Sequence, residues 1–431
     1  MIIAEIIPIG SELLLGGRTD TNSVFLSEML AQHGIEVRFK SVVGDDLRNI
    51  CQALTIAARR AKVVIVTGGL GPTVDDLVRE AVAKVMGREL RRRNQAMQAI
   101  KDRFLLQGRS ITKNQYRQAF LPTSADFLQN SVGTAPGFSL KWKGSRFFCL
   151  PGVSHEAKQM FSDAVLPLLL KEGYCTAPIR SRTLHTFGLI EGVVDEFIAE
   201  FVPQYLGIRV GLLATPLGVS VSLTEVPQSK NTIRNVRIGK LNQINSEGEI
   251  EVLLKRISSR LKPFVYGFDD ELMEAVIGKK LWAGGSTIAL AESCTGGLIG
   301  HRLTQVSGSS NYLERGVVCY SNRSKIDLLG VSSSLLRRHG AVSSPVARAM
   351  AKGIRKRSGT VLGLSVTGIA GPTGGTPEKP VGLVYVGLAT PDGVFTKEFR
   401  FQGNREMVKW RSSQGALDTV RRYLSGLPIL D

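Results

Sequence analysis

A chain of 431 residues with 43% hydrophobic and 21% charged content has the make-up of a folded globular protein of two or three domains, and excludes disordered and fibrous classes. No apolar run approaches the roughly 20 residues that span a bilayer, and the five cysteines stand singly without C-x-x-C spacing, so neither a membrane protein nor a disulfide scaffold is expected. The formal charge of +18, dense between Arg79 and Arg117, favours anionic ligands, but no nucleic-acid-binding motif accompanies it, so specific nucleic-acid binding is not expected.

Met1-Ile2-Ile3-Ala4-Glu5 lacks a basic n-region and leads straight into an apolar run to Ile9, so a cytoplasmic location without a signal peptide is expected. Gly10-Ser11-Glu12 breaks that strand, and Asp20-Thr21-Asn22 offers N-caps for a helix ended by Gly34. A strand over Val37–Val43, a helix over Leu47–Arg60 and the apolar strand Val63–Val66 follow, an alternation that predicts a largely parallel α/β sheet with ligands at strand C-terminal ends. That last strand runs into Thr67-Gly68-Gly69-Leu70-Gly71-Pro72-Thr73-Val74-Asp75-Asp76, before a helix stopped by Gly87. Gly68, Gly69 and Gly71 let backbone N–H groups approach a phosphate, and Asp75 and Asp76 are of the type that holds a divalent cation. A glycine turn with an acidic N-cap explains the same residues.

From Thr176 to Gly267 short strands (181–187, 207–213, 219–226) and helices near 193–201 and 248–261 predict a small α+β segment, with a polar loop over 228–246. The remaining chain centres on Ser286–Lys325. An apolar run, Thr287–Leu290, ends in Ala291-Glu292-Ser293-Cys294-Thr295-Gly296-Gly297 and restarts as an amphipathic stretch to Val306. Such a strand-to-helix break presents hydroxyls and free N–H groups at one point. Downstream, Tyr320-Ser321-Asn322-Arg323-Ser324-Lys325 supplies a phenol and an amine that can activate Ser293 without histidine, provided that burial lowers the lysine pKa. Alternatively, Ser293 and Thr295 cap a helix, Tyr320 packs on a strand and Lys325 is solvated. Cys294 is a second candidate nucleophile. A helix over Pro345–Lys356, a strand over Val361–Val366, a glycine-rich loop over Thr367–Gly375, strands flanking Pro391-Asp392-Gly393 and a helix over Arg405–Leu424 complete the prediction.

Ala291–Gly297, Tyr320-Ser321-Asn322-x-x-Lys325, Gly340-Ala341-Val342-Ser343 and Thr367–Gly375 occur in the order and spacing of the C-terminal domain of the CinA family, which resembles nicotinamide mononucleotide amidohydrolases. Thr67–Asp76, with Gly10-x-Glu12, Asp20-Thr21-Asn22, Val43–Asp46, Gly133–Gly137 and Leu150–Val153, resembles the molybdopterin-binding fold that forms the N-terminal domain of that family. The resemblance implies a molybdopterin-binding-like α/β domain over 1–172, a small connecting α+β domain over 173–267 and an α/β amidohydrolase domain over 268–431. It implies Ser293 as nucleophile with Lys325 and Tyr320 as proton carriers. Substrate binding would fall to Thr295, Gly296, Gly297, Asn322, Thr367, Gly368, Gly371, Gly374 and Gly375, with oxyanion donors around Thr295–Gly297 and no cofactor. For the N-terminal domain it implies ADP-ribose pyrophosphatase activity, phosphate at Thr67, Gly68, Gly69 and Gly71, and magnesium or cobalt on Asp45, Asp75 or Asp76. The chain departs from the family pattern with Val78 for a threonine, Ser154 in the Leu150–Ala157 stretch and Ser344 for an acid. A homodimer acting on small nucleotides is expected, and a pterin- or nucleotide-binding module without turnover is the alternative.

Overall fold

The computed structural model describes residues 2–106, 108–205, 207–225 and 248–429, so the loop expected over 228–246 lies outside the described residues. The described chain falls into two compact units, 2–180 and 181–429. No helix of it is long and apolar enough to cross a membrane.

The first unit is built on a six-stranded sheet in the order Ile35–Lys40, Ile2–Pro8, Val63–Thr67, Ser145–Leu150, Gly137–Trp142, Asp126–Leu128. The first four run parallel, Gly137–Trp142 runs antiparallel to them, and Asp126–Leu128 pairs antiparallel with Gly137–Trp142. Every residue of Val63–Thr67 is buried, as its unbroken β-branched run requires of a central parallel strand. Alternate side chains serve opposite cores. Val64 and Val66 pack with Leu54, Val82 and Phe147, whereas Val63 and Ile65 pack with Leu26, Phe148 and Met160. Helices begin where their caps predict: Asp20 accepts from Ser23 N–H ahead of Thr21–Gln32, and Asp46 accepts from Arg48 and Asn49 N–H ahead of Leu47–Arg60. The helix Asn94–Leu106 and the strands Asp126–Leu128 and Gly137–Trp142 are elements that the sequence pattern does not announce. The connections after Pro8 and Thr67 leave in opposite directions, which opens a crevice at the strand ends between Gly10 and Gly68. There Gly68 takes φ 97°, and a Cβ on it would lie 2.2 Å from Ile9 O, so only glycine fits.

The second unit carries two sheets. An antiparallel sheet in the order Ile208–Thr215, Gly218–Glu225, Ser181–Thr186, Val265–Phe268 is backed by the helices Glu191–Ala199 and Glu249–Arg260. The five-stranded sheet has the order Leu313–Val318, Ile288–Glu292, Leu362–Gly368, Leu383–Thr390, Gly393–Arg400. Its first three strands are parallel and its last two are each joined antiparallel to the strand before, so the sheet is mixed. The cause is local: the connection from Gly368 to Leu383 contains no crossover helix, and without one the next strand can only return antiparallel. Leu290 and Leu364 face the 20-residue helix Arg405–Leu424 through Val408, Leu417 and Val420, while Ala289 and Ala291 face Ser344–Ser358 through Met350 and Ile354.

Candidate functional site

Ile288–Glu292 is buried throughout, and the chain turns sharply at Ser293, whose N–H donates to Val366 O at 3.0 Å. The strand Leu313–Val318 lies on one side and Leu362–Gly368 on the other, and their connections diverge. Ser293 therefore stands at the mouth of a crevice between strand ends, facing the Thr367–Gly375 loop. The turn is held by Glu292. Its buried carboxylate accepts from the N–H groups of Gly297 (3.0 Å), Ile299 (3.1 Å) and Gly300 (2.8 Å) at the start of the helix Leu298–Thr304. An anion there completes donors that the helix cannot satisfy itself. Glu292→Ala is expected to cost about 2–3 kcal/mol of stability, read as a lower urea midpoint at unchanged m value.

Lys325 enters from the helix Asn322–Leu329, which begins where Ser321 Oγ accepts from Ser324 N–H. The helix turns Lys325 inward until it is 1% exposed. Its Nζ lies 3.1 Å from Ser293 Oγ, 2.9 Å from Cys319 O and 3.2 Å from Tyr320 O. This is not a solvated lysine beside a capping serine. Burial pulls the Lys325 pKa below its ordinary value, because the interior disfavours the charged form. A neutral amine has two N–H bonds, which the two carbonyls accept, and its lone pair then faces the Ser293 hydroxyl. Neighbouring thiols do not hold the ammonium charged, since burial pushes Cys294 up to about 12 and raises Cys319 as well. The same burial makes Cys294 an inert thiol at neutral pH rather than a rival nucleophile.

The Tyr320 side chain is 61% exposed, and its hydroxyl accepts from Arg405 Nη2 at 3.0 Å. Only its main-chain carbonyl bonds Lys325. Arg405 also donates to Gly371 O at 2.6 Å, so one guanidinium ties the phenol to the glycine-rich loop. Sequence reasoning missed Arg405; its one signal is a place in the first turn of a helix capped by Asn404. Thr367 anchors the same loop by donating its hydroxyl to Ala341 O at 2.8 Å. Gly374 and Gly375 are exposed, as is Asn322 in the first turn of its helix. Thr295 is fully buried, and its hydroxyl has no hydrogen-bond partner among the described residues. The expected oxyanion donors need correction. Gly296 N–H is given to Ser293 O and Gly297 N–H to Glu292, whereas the N–H groups of Cys294 and Thr295 have no main-chain acceptor among the described residues and lie against the Cys294 thiol.

In the first unit, Thr67, Gly68, Gly69 and Gly71 form the expected loop at a strand end. The fully buried Val78 begins the helix Val78–Met86, and its N–H donates to Gly69 O at 3.2 Å. Arg79, unnoticed in the sequence, is 1% exposed and fixes this loop by donating to Leu70 O (2.6 Å) and Gly71 O (2.9 Å). Asp45 accepts from Ser11 N–H at 2.7 Å, Asp76 from Thr73 N–H at 2.8 Å and from its hydroxyl, and Asp75 is exposed. Among the described residues, no group of three or more His, Cys, Asp or Glu side chains is arranged to hold a metal ion.

Comparison with known proteins gives two family matches: the CinA C-terminal domain over residues 270–424 and the Probable molybdopterin binding domain over residues 5–171. A protein of Caldanaerobacter subterraneus subsp. tengcongensis, named provisionally as a competence-damage inducible protein, is 42% identical over 425 residues, 99% of each chain. A CinA-like protein of Kosmotoga olearia is 40% identical over 427 residues, 99% of this chain and 100% of its own. Among solved structures, the competence/damage inducible protein CihA of Agrobacterium tumefaciens is 39% identical, covering 36% of this chain and 93% of its own, with a TM-score of 0.35. End-to-end identity of this order, over both matched domains, shows that the chain belongs to the CinA family of competence-damage inducible proteins.

Proposed function

We propose that the crevice at Ser293 hydrolyses the carboxamide of nicotinamide mononucleotide, giving nicotinate mononucleotide and ammonia. The observation that carries this reading is the 3.1 Å contact between Ser293 Oγ and the buried Lys325 Nζ. The choice of substrate rests on the four ordered motifs that resemble nicotinamide mononucleotide amidohydrolases. Neutral Lys325 takes the hydroxyl proton as Oγ attacks the amide carbon, and the oxygen that becomes negative is met by the Cys294 and Thr295 N–H groups. The C–N bond breaks as Lys325 returns the proton to nitrogen, so ammonia leaves and an acyl ester remains on Ser293. Water then attacks that ester, Lys325 accepts its proton and passes it to Ser293 Oγ, and the carboxylate product departs. Arg405 keeps Tyr320 and the loop at Gly371 in fixed relation at the mouth.

The test is ammonia release from nicotinamide mononucleotide by the full chain in the presence of a chelator. One ammonia per nicotinate mononucleotide is expected, and intact substrate after prolonged incubation would sink the reading.

A further inference from the structure

The space over the nucleophile turn has unequal walls. Gly296 takes φ 62°, and a Cβ built on it meets one heavy atom within 4 Å, Lys409 Nζ at 3.8 Å. A Cβ on the next residue, Gly297, meets only Val318 Cγ2, at 3.6 Å. Val318 and Tyr320 are 49% and 61% exposed, so one wall is an apolar and aromatic surface and the other an ammonium. Lys409 lies one helical turn beyond Arg405 on Arg405–Leu424, hence on the same face. The two cations differ in commitment. Arg405 spends its fork on Gly371 O and the Tyr320 hydroxyl, whereas Lys409, half-buried, makes no hydrogen bond or ion pair among the described residues. With no acidic partner beside it among the described residues, the Lys409 ammonium can give an arriving anion a charge-assisted contact that no carboxylate already occupies. The helix N-terminus that would otherwise receive an anion is already filled by Glu292. Lys409 Nζ, beside Gly296, is a side-chain cation placed to do so.

We propose that Lys409 is a substrate-positioning residue that takes the phosphate monoester of the nucleotide, while the ring end lies toward Val318 and Tyr320 and the carboxamide toward Ser293. This rests on the amidase reading and gives it a specificity determinant: the site selects pyridine mononucleotides over their nucleosides.

The test compares nicotinamide mononucleotide with nicotinamide riboside, which lacks the phosphate. Steady-state ammonia release by wild type, Lys409→Met and Lys409→Arg gives kcat and KM for both. Lys409→Met is expected to raise KM for the mononucleotide by about tenfold or more, as loss of one charge-assisted contact implies. The preference for mononucleotide over riboside falls by the same factor, and Lys409→Arg restores most of it. Equal losses on both ligands, or none, overturn the proposal. Calorimetric binding of both ligands to Ser293→Ala and Ser293→Ala/Lys409→Met keeps the two readings separate. Should wild type turn over neither ligand, the amidase reading fails. Lys409 is then judged by whether the double variant loses affinity selectively for the phosphorylated ligand, as expected, or equally or not at all, which overturns it.

Discussion

Ser293→Ala is expected to leave a folded protein with ammonia release from nicotinamide mononucleotide down by about 10⁴-fold or more, the scale of loss when a nucleophile is removed from a group that acts as a unit. The fold should tolerate the change, since among the described residues the lost hydroxyl bonds Lys325 alone, whose Nζ keeps Cys319 O and Tyr320 O as partners. Circular dichroism and a thermal melt would confirm the folded state beside the ammonia assay. Cys294 stands next in the chain, but a thiol pushed up to about 12 supplies almost no thiolate at neutral pH and should not rescue the variant. Activity within tenfold of wild type would remove Ser293 from the mechanism.

Lys325 gives the second large effect. Lys325→Met and Lys325→Arg are both expected to lower kcat/KM by about 10²–10⁴-fold, the usual contribution of a general base. The arginine variant is the informative one: it preserves positive charge but cannot give up its proton in the working range. An electrostatic role for Lys325 would leave Lys325→Arg substantially active, and that outcome would contradict the proton-transfer role. In wild type the active form is the neutral amine, so kcat/KM rises with pH and levels off above the Lys325 pKa, which burial places below the ordinary lysine value of 10.5. Stability carries the same signature. Between the lowered folded value and the ordinary value the unfolded chain binds more protons than the folded one, so folded-state stability rises with pH through that window. Lys325→Met should flatten this rise in urea titrations at several pH values.

Much of this architecture is legible in the residues because local signals and tertiary placement agree. The β-branched run Val63–Val66, the caps Asp20 and Asp46, and the helix Arg405–Leu424 each carry a pattern that packing reinforces. Ser293 and Lys325 could be paired as types, but the 3.1 Å contact depends on the parallel register of Ile288–Glu292 with Leu313–Val318 and on the helix that follows, which spacing alone does not dictate. Arg405 and Arg79 were illegible for a plain reason. Each acts by binding main-chain carbonyls of a loop distant in sequence or folded back on itself, and a carbonyl leaves no mark in the amino-acid string. Glu292 sits within the quoted motif, yet its work on three N–H groups is visible only once the turn has form. The adjacent acids Asp75 and Asp76 are another case, since the string does not tell them apart: the loop turns Asp76 toward Thr73 and leaves Asp75 exposed.

The helix Arg405–Leu424, about 30 Å long from its 20 residues, binds at both ends. Its first turn reaches Gly371 and Tyr320, Gln414 donates to Leu217 O, and Arg421 holds the carbonyls of Pro263 and Val265. In the order of synthesis this strut emerges after every other residue of the crevice, 85 positions behind Tyr320. A ribosome needs on the order of ten seconds to cover that distance. Val408, Leu417 and Val420 of that strut cover Leu290 and Leu364, so the sheet that carries Ser293 keeps one face bare until translation delivers its last helix.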